Sequence, residues 1–220
     1  MNPAEFISSL SSISMPNVFN PWAQKCEIAD KIDSVDIRKR NLQMTLERAL
    51  DLKVDSIWIG RDLGYMGGRR TGLALTDEAN LGRFSKLYGG LPLDRATFGP
   101  LAAERTAAMV WETISNLNVP IFTWNVFPLH PHAPGKPMTN RCHKRGERRQ
   151  TFDLLQALIG MIEPKVIVAL GNDAASGLEE LGVSSIKVRH PSYGGKADFV
   201  TGVAKLYGVK ANELSQPKLI

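Results

Sequence analysis

Residues 165–182, KVIVALGNDAASGLEELG, join a short aliphatic run through Gly171 to a segment of helical character. The run is too short for a helix and apolar throughout, as in a strand covered on both faces. Three other stretches read the same way: 54–60 (VDSIWIG), 119–124 (VPIFTW) and 184–190 (SSIKVRH). Helical segments are expected near 100–117, 147–162, 172–182 and 196–207, with an amphipathic helix at 36–52. Strands that alternate with helices make a parallel sheet covered on both sides. The predicted fold is a three-layer α/β/α sandwich with a central, mainly parallel four-stranded sheet. One domain is expected over 1–220, with an irregular lead-in at 1–35 holding one short helix, a core over about 54–207, and an insertion at 76–99 of undefined structure.

The chain has 220 residues, 43% of them hydrophobic, which is ordinary for one globular core. No apolar run reaches the ~18 to 20 residues that span a bilayer. The amino terminus, MNPAEFISSL, lacks the basic start and apolar core of a signal peptide, so a cytoplasmic, membrane-free protein is expected. Cys26 and Cys142 are the two cysteines and read as free thiols. Two cannot supply a four-thiolate iron–sulfur cluster, and no cofactor is expected. The formal charge of +5 points to a polyanionic partner, and the basic stretch 136–149, KPMTNRCHKRGERR, is where phosphates would be met.

In an open parallel sheet, ligands bind beyond the carboxyl ends of the strands. The polar clusters fall there: 60–72 after the first strand, 125–149 after the second, Asn172 and Asp173 after the third, 190–196 after the fourth. The first of these loops holds five glycines, three arginines and one carboxylate, Asp62. Taken alone, Asp62 reads rather as a loop residue capping backbone amides and His190 as a structural histidine, while Asn125 reads equally as a turn former. Together, an acid, an amide and an imidazole on three strand ends of one sheet satisfy the geometric requirement for a site.

These residues resemble the uracil-DNA glycosylase superfamily. Gly60-Arg61-Asp62-Leu63-Gly64-Tyr65 takes the place of that family's first motif, with Thr71-Gly72-Leu73 downstream. Asn125 in FTWNVFPL matches the base-reading asparagine, and His190-Pro191-Ser192 matches the second motif. His143-Lys144-Arg145-Gly146 through Phe152-Asp153 looks like the helix start between them. The chain also departs from the pattern. Gly64 stands where one branch has a tyrosine that walls off the base's 5-position, and Leu75 stands at the stacking phenylalanine, for which Phe127 or Tyr65 would substitute. Leu63 replaces a proline and Arg61 a glutamate of the iron–sulfur branches, and the wedge leucine of the second motif loop has no counterpart unless Tyr193 serves.

The resemblance implies a monofunctional DNA glycosylase acting on uracil or a modified pyrimidine in DNA. Breaking the base–sugar bond builds positive charge on the sugar and negative charge on the base, so each end needs a stabiliser. Asp62 would face the sugar and orient water, while His190 would donate a hydrogen bond to the base. Arg61, Gly64, Leu75 and Asn125 would form the base pocket. Arg69, Arg70, Arg148, Arg149, Ser192, Tyr193, Gly194 and Lys196 would contact the DNA. Gly64 suggests a pocket open to small 5-substituents. Two rival readings are a nucleic-acid-binding protein of the same fold without turnover, and a metal site built from His130, His132, Cys142 and His143.

Overall fold

The computed structural model describes residues 1–215, so the last five residues of the expected domain lie outside the described residues. In chain order the elements are α1 (Pro3–Ser11), β1 (Val18–Phe19), α2 (Ser34–Asp51), β2 (Ser56–Gly60), α3 (Gly68–Thr71), a 3₁₀ turn (Glu78–Asn80) and α4 (Leu81–Leu87). There follow α5 (Arg105–Leu117), β3 (Phe122–Asn125), β4 (His130–Pro131), α6 (Arg145–Arg149), α7 (Phe152–Ile162), β5 (Val166–Leu170), α8 (Asn172–Glu180), β6 (Ile186–Val188), α9 (Lys196–Tyr207) and α10 (Ala211–Leu214).

The fold is an α/β sandwich: a four-stranded parallel sheet of order β3-β2-β5-β6, with helices around it. The central strands are buried because both of their faces carry helices; every residue of β2 is buried. Trp58 meets Phe199 of α9 edge to face at 5.8 Å, and its indole N–H donates to the Tyr207 hydroxyl at 3.0 Å. Trp124 of β3 stacks on Trp22 of the lead-in at 6.0 Å.

Register positions the site. Gly60 pairs with Asn125 across β2 and β3, and Leu170 with Val188 across β5 and β6. The chain therefore leaves β2, β3, β5 and β6 at one edge of the sheet. Among the described residues, no helix is long and apolar enough to cross a membrane.

Three local expectations are corrected. The lead-in is more ordered than expected: α1 is closed by a reciprocal Asn2–Glu5 capping box, and β1 pairs antiparallel with β4. The helix expected at 147–162 is two helices, with Gln150 and Thr151 between α6 and α7. The insertion contains the 3₁₀ turn and α4, anchored where Asp77 caps the turn through the Asn80 N–H.

Candidate functional site

Asp62 lies two residues beyond β2, and its Oδ2 gathers three donors. These are Arg61 Nε at 3.0 Å, the His143 backbone N–H at 3.3 Å and His143 Nδ1 at 3.2 Å. The other oxygen, Oδ1, has no hydrogen-bond partner among the described residues. Arg148 donates to His143 Nε2 at 3.3 Å, which leaves Nδ1 as the ring nitrogen that donates to Asp62. Arg148 is in turn paired with Glu180, and a chain of contacts runs Glu180–Arg148–His143–Asp62. Arg61 also reaches Asp173 at 3.1 Å, which spans the ends of β2 and β5.

Asn125 is 1% exposed, and neither its Oδ1 nor its Nδ2 has a partner. A buried amide with both ends unsatisfied costs roughly 1–3 kcal/mol, which a ligand offering a donor and an acceptor would recover. A Cβ on Gly60 would stand 2.5 Å from Asn125 Oδ1 and 2.9 Å from Leu75 Cδ2. Glycine at 60 is what lets the amide and Leu75 close on the strand end. Leu75 holds a left-handed φ of 55°, uncommon for a branched side chain and a form of strain that concentrates at functional sites.

His190 follows β6, and its Nδ1 accepts the Ser192 backbone N–H at 3.2 Å with the Ser192 hydroxyl at 2.7 Å. With Nδ1 an acceptor, the proton sits on Nε2 as a free donor. Burial, then the charges of Arg61 and Arg189, hold the imidazole below its ordinary pKa and keep it neutral. Gly171, at φ 88°, lets the β5 turn approach the imidazole: a Cβ there would stand 3.0 Å from that of His190. Asp62, Asn125 and His190 thus occupy the same edge of the sheet, linked through Gly60, Arg61 and Asp173.

The expected DNA contacts divide. Arg69 is 3% exposed; its guanidinium lies 3.8 Å over the Phe19 ring and bonds His130 Nδ1 at 2.9 Å and the Pro137 carbonyl at 2.8 Å. Arg70 pairs with the buried Glu78 at 3.3 Å and bonds Thr97. Both are corrections: these cations are enclosed, not presented to phosphate. Arg148 is likewise turned inward, toward Glu180 and His143. Arg149 remains at the surface but shares Glu180 with Arg145, each at 2.7 Å. Lys196 is exposed and paired with Glu112 at 2.8 Å. Tyr193 is 97% exposed, in left-handed backbone at φ 52°, and Gly194 follows at 77°. Gly64 and Ser192 are half-buried beside the site.

The histidines of the metal reading are taken by other partners: His130 by Arg69 and the Thr139 carbonyl, His132 by the Ala133 carbonyl, His143 by Asp62 and Arg148. Cys26 is buried and Cys142 exposed, both free. A cleft of about 460 Å³ lined by Ile28, Met66, Arg70, Phe98 and Leu101 borders the same glycine loop but contains none of Asp62, Asn125 and His190.

Sequence reasoning placed His143 in a helix start and in a metal reading without pairing it with Asp62, and it did not single out Glu104. His143 sits 81 positions from Asp62, and nothing local signals the pairing. Glu104, at the N-cap of α5, turns its carboxyl onto Gly64 and Gly67. Its only signal was an acidic residue just before a helix.

No protein-family model matches the chain, and no curated protein sequence matches it. Its fold is similar to the crystal structure of wild-type SMUG2 from Pedobacter heparinus, with a TM-score of 0.64 and 13% sequence identity, over 94% of this chain and 96% of that one. At this identity the likeness is one of fold.

Proposed function

We propose that the chain is a DNA glycosylase of the uracil-DNA glycosylase superfamily, which hydrolyses the N-glycosidic bond of uracil or a related damaged pyrimidine in DNA and leaves an abasic site. The observation that carries this reading is the unpaired, buried amide of Asn125 at the same sheet edge as a carboxylate with one free oxygen and a neutral imidazole with a free Nε2–H. The fold shared with SMUG2, a member of that superfamily, supports it.

In this mechanism the target nucleotide is flipped out of the stack at a cost of a few kcal/mol, offset by contacts in the pocket and to the backbone. Asn125 pairs with a donor and an acceptor on the base edge. As the C1′–N bond breaks, its electron pair goes to the base, and His190 Nε2–H stabilises the carbonyl oxygen that takes up the charge. Asp62 Oδ1 faces the cationic sugar and accepts a proton from the water whose oxygen bonds to C1′. Tyr193, exposed on its loop, fills the space the base leaves. The remaining phosphate contacts come from Ser192, Gly194, Lys196 and the exposed arginines of α6.

The test is a panel of oligonucleotides, each with one modified base, treated with alkali after incubation. Uracil-containing strands should break only after alkali, and Asp62→Asn should abolish the break. A folded, unaltered protein that releases no base from any strand would sink the reading. A second reading, a nucleic-acid-binding protein without turnover, is favoured by Leu75 at the platform position. It predicts retention of the same strands without cleavage.

A further inference from the structure

Glu104 is the N-cap of α5, yet its side chain makes no cap hydrogen bond. The carboxyl turns toward the loop after β2. Its oxygens lie 3.1 and 3.2 Å from where a Cβ on Gly64 would stand, and Oε2 would overlap a Cβ on Gly67. The backbone is gripped from the far side, where Glu104 N–H donates to Asp77 Oδ2 at 2.6 Å. Asp77 Oδ1 is itself held by the Asn80 N–H at 2.9 Å and the Asn80 amide at 2.7 Å. The Glu104 carboxyl has no hydrogen-bond or ion-pair partner among the described residues. Its backbone is held while its carboxyl is left unpaired against the glycine loop, half-buried and within reach of a ligand.

Two placements tie this niche to the candidate site. Gly64, which the carboxyl faces, is two residues from Asp62. The Thr76 carbonyl borders the same glycine pair, 3.8 Å from a Cβ on Gly67, and follows directly on Leu75, which closes over Gly60 beside the unpaired amide of Asn125.

We propose that Glu104 is a base-recognising residue of this site: a neutral carboxyl whose O–H donates a hydrogen bond to an acceptor on the bound pyrimidine. The proposal rests on the glycosylase reading and adds a third polar group to Asn125 and His190. Burial, then the negative charges of Asp77 and Asp62, push the carboxyl up to about 7. The positive end of α5 acts in the opposite sense, but the carboxyl forms no bond to the amides there. The donor is therefore present on the acid side and lost as pH rises through about 7. Once ionised, Glu104 would set a further negative charge beside Asp62 and Asp77 and oppose a leaving base that is becoming anionic. The expectation at Gly64 changes accordingly. The room left by the missing side chain is occupied by a carboxyl, so selection at that edge is polar as well as steric.

Two readouts test this. The first is single-turnover release of uracil from a single-stranded oligonucleotide, from about pH 5.5 to about pH 8.5, by the unaltered protein, Glu104→Gln and Glu104→Ala. The unaltered rate should fall toward tenfold per pH unit above about 7. Glu104→Gln, which keeps a donor and cannot ionise, should stay flat there, and Glu104→Ala should be slow throughout. The His190 transition lies below its ordinary value, on the acid side of the fall expected above about 7.

The second is the ¹³C titration of the Glu104 carboxyl with and without millimolar free uracil, which should raise the midpoint. A Glu104→Gln profile identical to that of the unaltered protein, with a midpoint that uracil leaves unmoved, overturns the proposal even where cleavage is robust. If no strand is cleaved but uracil raises the midpoint, the glycosylase reading fails and base recognition by Glu104 stands. If neither occurs, both fail.

Discussion

His143 grips Asp62 twice at one oxygen, through its backbone N–H at 3.3 Å and its Nδ1 at 3.2 Å. The ring is set in place by Phe127, 5.3 Å away between centroids, and by Arg148 at Nε2. This leaves Oδ1 as the oxygen without a hydrogen-bond partner among the described residues. A hydrogen bond to a charged group is worth roughly 1.5–3 kcal/mol, so His143→Ala should slow base release about 10- to 100-fold. Single-turnover rates with thermal melting in parallel check it. Unchanged rates would mean that Arg61 and the backbone N–H of residue 143 suffice to hold Asp62. Arg148→Ala should move the rate in the same direction by less.

Asn125→Ala removes a buried amide with no partner among the described residues. Its folded stability should be unchanged or higher, apart from the small cavity left, while release of uracil drops at least about tenfold. Urea unfolding and cleavage on the same sample decide this. A large loss of stability would show that the amide is satisfied structurally.

Tyr193→Gly should raise stability by roughly 0.5–1 kcal/mol, because glycine accepts the φ of 52° without strain. The same change should impair cleavage of double-stranded more than single-stranded substrate, since only the duplex needs the gap filled. Equal effects on both substrates would argue against the wedge role.

Glu180 binds Arg145, Arg148 and Arg149 together, and the arginines, Arg148 first, hold its carboxyl down to about 2. Glu180→Gln should release the two exposed arginines to phosphate. DNA affinity should increase at low salt, and the slope of log affinity against log salt should steepen by about 1 to 2. Fluorescence anisotropy over a salt series measures both.

His130 is fully buried, and burial, then the Arg69 charge, lowers its pKa to about 4. The unfolded chain protonates near pH 6.5 while the folded one resists. Stability is therefore complete above about pH 6.5 and declines as pH falls to about 4, by about 3 kcal/mol over the window. His130→Gln should remove that slope. Urea midpoints at both ends of the window give the comparison.

The parallel sheet was legible because 54–60, 119–124, 165–171 and 184–190 are short runs carrying β-branched or aromatic residues, separated by helical spacing, and such a pattern has few other solutions. The placement of Asn125 and His190 at strand ends was legible for the same reason. What stayed hidden depends on distant parts of the chain. Arg69 and Arg70 carry the composition of a surface patch; only the tertiary placement of Phe19, His130 and Glu78 shows that they are enclosed. The β1–β4 ribbon is two residues wide and has no periodicity to detect. The break at Gln150 and Thr151 interrupts a stretch whose propensities alone favour one helix.

Gly60, Leu75 and Asn125 interlock, with the missing Cβ of the first in the space held by the other two. These three positions are consequently epistatic. Residue 60 cannot gain even a methyl group while the amide and the leucine stay where they are. An aromatic platform at 75 is equally barred as a single step, because that side chain starts from left-handed backbone and abuts the strand end. A bulkier side chain at 75 must therefore come together with a new loop path, the two altered as a pair.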